Sequence, residues 1–109
     1  MRYSDCYSSN LKRYLDGNQI STNSLANRSK ISQKTIWVVQ AGKSVPTVNT
    51  VQQIGKALDI DARIMLGREL TFDQLKKTKK IGKILDLLVD LTAEELDSVL
   101  SISTAFAPK

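Results

Sequence analysis

Apolar residues along this chain recur at three- and four-residue steps, interrupted at short, regular intervals by a polar residue suited to capping a helix or by a glycine. In SDCYSSNLKRYLDGN, Tyr7, Leu11 and Tyr14/Leu15 fall on one helical face, and Gly17 suits the left-handed position that closes a helix. Ser21 is placed to cap TNSLANRS, whose apolar content is Leu25 and Ala26. Ser32 caps QKTIWVVQ and Gly42 closes it; Thr47 caps VNTVQQIGKAL, with Val48, Val51, Ile54 and Leu58 along one side. Asp61 starts ARIML, which Gly67 ends. The pattern predicts five short helices in the first 66 residues.

One of these segments contains four apolar residues in a row, Ile36-Trp37-Val38-Val39. All four are β-formers, so a buried strand is the competing reading. The serine before and the glycine after frame a helix instead. At 100° per residue Thr35, Ile36 and Val39 share one side, and Gln33, Lys34, Trp37 and Val38 share the other. Ile36 and Val39 are therefore expected in the core, with Trp37 and Val38 displayed beside Lys34.

The rest of the chain reads differently. TFDQLKKTKKIGKILDLLVDL opens with Thr71 as a cap, passes through a run of lysines, and becomes a helix aligning Ile81, Ile84/Leu85 and Leu88. Thr92 and Glu95 make a capping box for AEELDSVLSISTAF, where Leu96, Val99/Leu100 and Phe106 face one way. Together they predict a helical hairpin. Two helices cannot bury so wide an apolar stripe alone, so it is expected to dock on the first domain or on a second copy.

Composition narrows the chemistry. A chain of 109 residues fits one compact domain or a small domain with an appendage. The single cysteine, Cys6, excludes an internal disulfide or a cysteine-rich metal cluster, and histidine is absent. No paired carboxylates, nucleophile with its base, metal cluster or phosphate loop can be assembled, so neither catalytic nor metal-binding residues nor a cofactor are expected. The first residues carry no signal-like apolar run and no segment reaches membrane-spanning length, which points to the cytoplasm. Charge is uneven: residues 1–66 hold nine Lys/Arg against four Asp, whereas 67–109 hold seven of each sign. A basic domain beside a neutral segment suggests a polyanionic partner, nucleic acid before membrane.

Taken in order, LKRYL, ISTNSLANRSKISQKTIWVVQAGKS and PTVNTVQQIGKALDIDARIML resemble the Cro/lambda-repressor-like (XRE) helix-turn-helix family over about half of the chain. The resemblance implies an all-α fold. It divides into a five-helix DNA-binding domain over residues 1–67, with the helix-turn-helix at about 21–40, and a C-terminal helical hairpin over 68–109. In such a fold the second helix lies across the DNA backbone and the third enters the major groove by its N-terminal end. Gln33 and Lys34 then stand on the first turn of the recognition helix. Glutamine can bridge adenine N6 and N7, and lysine can reach guanine O6 and N7. Val38 falls where a base contact is made one turn on, and a valine there can touch only thymine methyls. Thr22 and Lys43 match phosphate-contacting positions.

Three departures from the family pattern carry consequences. Lys30 stands in the turn where glycine is usual. Leu15 and Gln40 replace an Arg and a Glu that often pair between the first and third helices; losing both together is coherent, because losing one would strand a buried charge at a cost of about 3 to 5 kcal/mol. Trp37 and Val38 stand where polar residues are usual. Trp37 has three placements open to it: against the sugar-phosphate wall, against the C-terminal hairpin or another subunit, or partly in the core.

The function these readings imply is a sequence-specific regulator of transcription, a repressor in the simplest mechanism, of bacterial or phage type. It would bind double-stranded DNA at a pseudo-palindromic operator as a homodimer through residues 71–109, near the nucleoid. The competing expectations are the antitoxin of a toxin–antitoxin pair, whose C-terminal hairpin grips another protein, and an interaction module that kept the fold without DNA binding.

Overall fold

The structure, a computed structural model, describes residues 3–106. Among them are eight helices and no strand: α1 (Tyr3–Asn18), α2 (Thr22–Ser29), α3 (Gln33–Gln40), α4 (Val48–Leu58), α5 (Ala62–Gly67), α6 (Phe72–Leu75), α7 (Thr78–Leu88) and α8 (Ala93–Phe106). The chain is all-helical, and the Ile36–Val39 run is helix rather than strand.

Five helix starts follow their side-chain chemistry. Ser21, Ser32, Thr47, Asp61 and Thr71 accept the backbone N–H of Ser24, Thr35, Thr50, Arg63 and Gln74 respectively, each satisfying a donor that the helix itself cannot. Thr92 and Glu95 exchange the two bonds of a capping box at the start of α8.

One terminus departs from expectation. Gly17 does not end α1; the helix continues to Asn18, and the left-handed residue is Gln19, with φ 57°. The Phe72 ring explains the glycine, since a Cβ at position 17 would lie 2.3 Å from its Cε1. Gly17 is there for close approach, not for a turn.

The core gathers the inward faces of six helices: Tyr7, Leu11 and Leu15 of α1, Leu25 of α2, Ile36 and Val39 of α3, Ile54 and Leu58 of α4, Met65 of α5, and Leu75 of α6, together with Leu70. Each fully buried aliphatic side chain contributes about 1.5 to 3 kcal/mol over an exposed one. The core thus runs past residue 67. Asn10, fully buried in α1, fastens that continuation by donating to the carbonyls of Met65 and Arg68, both at 2.8 Å, and accepting from Leu70 N–H at 2.8 Å. Arg13 donates to the Leu70 carbonyl beside it.

α7 docks on α5 by an edge without apolar side chains. Thr78 and Gly82 are buried there, and Thr78 Oγ1 accepts from Asp61 N–H at 3.3 Å. Arg63 bonds both Asp61, at 2.6 Å, and Asp86, at 2.8 Å, while Lys79 pairs with Asp59. The Arg63 guanidinium holds the Asp61 carboxyl below the usual carboxylate range. The stripe of Ile81, Ile84 and Leu85 is left exposed and does not dock on the preceding helices.

Residues 89–92 join α7 to α8, and α8 packs closely on no other described helix. Within one chain the pair stands open rather than closing as a hairpin. Leu96, Leu100 and Ile102 are exposed accordingly; the Phe106 side chain lies outside what the structure describes.

Candidate nucleic-acid interface

α2 and α3 are joined by Lys30, Ile31 and Ser32, and the turn is secured at each step. Lys30 is left-handed (φ 61°, ψ 26°) and its N–H reaches the Ala26 carbonyl. A non-glycine residue there costs of order 1 kcal/mol. Ser29 offsets part of that strain. Its buried hydroxyl donates to the Leu25 carbonyl at 2.7 Å and accepts from Ile31 N–H at 3.3 Å, bridging the last turn of α2 to the residue leading into α3. Nothing in the apolar periodicity marks Ser29; its only signal is a small hydroxyl residue directly before the turn.

α3 is anchored from inside. Ile36 and Val39 are buried, as their phase predicts, and Ser8 of α1 donates its hydroxyl to the Val39 carbonyl at 2.6 Å. At the C-terminal end Gly42 takes φ 74°, and the N–H groups of Gly42 and Lys43 return to the carbonyls of Val39 and Val38. These bonds close the helix and aim Lys43 back along it. Leu15 is buried in the core, and Gln40 is half-buried.

The outward side of α3 carries Gln33, Lys34 and Trp37 exposed, with Val38 half-buried. Two contacts organise them. Gln33 donates its amide Nε2 to Thr22 Oγ1 at 3.3 Å, joining the first residue of α3 to the first residue of α2. Lys43 places its ammonium 4.8 Å from the centre of the Trp37 ring, within cation–π range. The six residues singled out from the sequence therefore form two adjoining groups on one surface: Thr22, Gln33 and Lys34 at the start of α3, and Trp37, Val38 and Lys43 toward its end.

Trp37 is 50% exposed and is not among the side chains gathered in the core. Neither α7 nor α8 packs closely on α3, and Lys43 lies over the Trp37 ring. Beside it lies a cleft of about 650 Å³ between α1 and the end of α3, lined by Lys12, Ser9, Gln40 and Gly42 among others. Asp5 lines the same cleft as Lys12, so an acid stands with that cation, and it is the Lys43 ammonium over the Trp37 face that can hold a phosphate or sugar edge.

Among the described residues no group of three or more His, Cys, Asp or Glu side chains is arranged to hold a metal, and no helix is long and apolar enough to cross a membrane. The chain matches no protein-family model, no curated protein and no solved structure.

Proposed function

We propose that this chain is a sequence-specific, double-stranded DNA-binding transcriptional regulator, with a lambda-repressor-like five-helix domain, working as a homodimer through residues 71–109. The observation that carries this reading is the joint display of Thr22, Gln33 and Lys34 at the starts of α2 and α3. An amide and an ammonium stand exposed on the first turn of α3, and the amide is already steadied by the neighbouring helix.

In this reading α2 crosses the backbone and α3 enters the major groove by its first turn. Gln33 reads adenine, Lys34 reads guanine, and Val38 touches a thymine methyl one turn further in. Lys43 neutralises a phosphate while its charge rests on Trp37, so the indole holds the lysine head near the groove wall. The excess of basic residues over residues 1–66 supplies long-range attraction to the duplex.

Selection of bound DNA from a random pool tests it. The expected product is a pseudo-palindrome whose half-sites lie roughly 34 Å apart, with an A·T preference at the step facing Val38. A pool that shows no enrichment at low salt ends the proposal.

A further inference from the structure

Eight of the eleven large apolar side chains left exposed among the described residues lie between positions 81 and 102. The cause is the edge by which α7 is fastened. Thr78, Gly82 and Asp86 succeed one another at four-residue steps and meet α5, while Ile81, Ile84 and Leu85 lie roughly 110° around the helix by its 3.6-residue period. The docking edge is small and polar, so the apolar stripe stays available. α8 adds exposed Leu96 and Leu100 on one face, with Ile102 exposed on the opposite side of the helix. An exposed apolar stripe of this kind marks an interface.

Charge identifies what covers it. Residues 76–83 contain five lysines and no acid, and residues 86–97 contain five acids and no base. Lys79 and Asp86 are taken by Asp59 and Arg63. Lys80 and Lys83 at one end, and Asp90, Glu94 and Asp97 at the other, are exposed and enter no ion pair within the described chain. Two copies of such a segment can meet about a twofold axis in parallel or antiparallel fashion. Parallel pairing sets lysines against lysines and acids against acids. Antiparallel pairing sets the lysine end of each copy against the acidic end of the other.

We propose that residues 76–102 form an antiparallel interface with the same segment of a second copy, apolar stripe on apolar stripe and lysine end on acidic end. This specifies the homodimer of the proposed function and rests on that part of it. It also accounts for α8 standing alone: its partner surface belongs to the other chain.

Sedimentation equilibrium of the full chain, at low salt where exposed charges are least screened, tests the arrangement. The wild type should dimerise. Lys80→Glu with Lys83→Glu should raise the dissociation constant about tenfold or more, and Asp90→Lys with Glu94→Lys should do the same. All four changes in one chain should restore dimerisation, because the two ends exchange sign together. All four positions are exposed, and circular dichroism checks that the helices persist. Dimers indifferent to either reversal, a quadruple variant no better than the doubles, or a wild type that stays monomeric would each overturn the proposal. Random-pool selection with the same variants keeps the two readings apart. A monomeric variant that still selects a half-site leaves the DNA reading standing, and a charge-dependent dimer that selects nothing sinks the DNA reading alone.

Discussion

Gly82 lies directly on the Asp61 carboxylate: a Cβ at position 82 would stand 1.8 Å from Asp61 Oδ2 and 2.7 Å from its Cγ. A glycine-to-alanine change inside a helix ordinarily gains about 1 kcal/mol. Here the sign should reverse. Asp61 caps α5 and holds Arg63, which in turn holds Asp86, so it cannot turn aside without releasing α7. Gly82→Ala is expected to lower stability by about 1 to 2 kcal/mol. Urea titration measures the loss, and hydrogen exchange should localise it to the amides of α7.

Asn10 makes the second long-range fastening. Replacing it with alanine leaves the Met65 and Arg68 carbonyls and the Leu70 N–H without their partner at the corner between α5 and α6. A buried polar group left unpaired costs about 1 to 3 kcal/mol, and water can reach part of this corner, so a net loss of about 3 kcal/mol is expected. Asn10→Asp should be no milder, because it removes the donor and brings a charge into a buried site. Thermal unfolding of both variants against the wild type checks the ranking.

These two fastenings also show where sequence reading stops. Helix starts were legible because a capping bond closes within three residues: Ser21, Ser32, Thr47, Asp61 and Thr71 need nothing from elsewhere. The burial of Ile36 and Val39 and the exposure of Trp37 were legible for the same reason, since phase along a helix is local; Val38, expected on the displayed side, is half-buried. The partner of a glycine is not local. Gly17 looks like a helix end until Phe72 is placed against it, and Gly82 looks like a weak point in α7 until Asp61 is. Asn10 reads as one more polar residue in a helix. In the candidate interface, exposure of Gln33, Lys34 and Trp37 followed from phase, whereas the Thr22–Gln33 bond and the stacking of Lys43 on Trp37 depend on how two turns fold.

The Thr22–Gln33 bond leads to a prediction about specificity from a residue that touches no base. Gln33→Ala should flatten base preference at its position, a loss of about 1 to 3 kcal/mol in discrimination. Thr22→Val keeps the volume and removes the acceptor. The Gln33 amide is then free to turn, and base preference should fall by a smaller amount, about 1 kcal/mol, while Thr22→Val added to Gln33→Ala changes little further. Competition binding with operator variants, carried out on the two single variants and the double, measures this coupling. Additive effects would show that Thr22 acts on the phosphate alone.

Tyr7 yields a prediction about pH. Its hydroxyl is buried and has no hydrogen-bond partner among the described residues, and burial pushes its pKa above the ordinary 10.0. The folded state therefore favours the neutral phenol. The associated stability is fully present below pH 10 and is lost as pH rises from there toward the raised value. Tyr7→Phe removes the orphaned hydroxyl and keeps the ring, so it should stabilise by about 1 kcal/mol at neutral pH and flatten the fall above pH 10. Urea midpoints at pH 7 and pH 10.5 for the two proteins check both halves.

Trp37 is the only tryptophan in the chain, so its fluorescence reports its surroundings without interference. With Lys43 over a half-exposed ring, the free protein should emit as a partly hydrated indole. Operator DNA should shift that emission to shorter wavelength if the groove wall closes over the ring. Lys43→Ala uncovers the indole and removes one phosphate contact. Binding should then weaken on every sequence alike, and the slope of log affinity against log salt should fall by about one unit. The emission change on DNA addition should survive in this variant, because it comes from Trp37. Trp37→Phe keeps an aromatic platform for Lys43 but loses the indole N–H, so it should retain the wild-type salt slope at reduced affinity. An emission that ignores DNA but shifts with protein concentration would instead place Trp37 against a second protein chain.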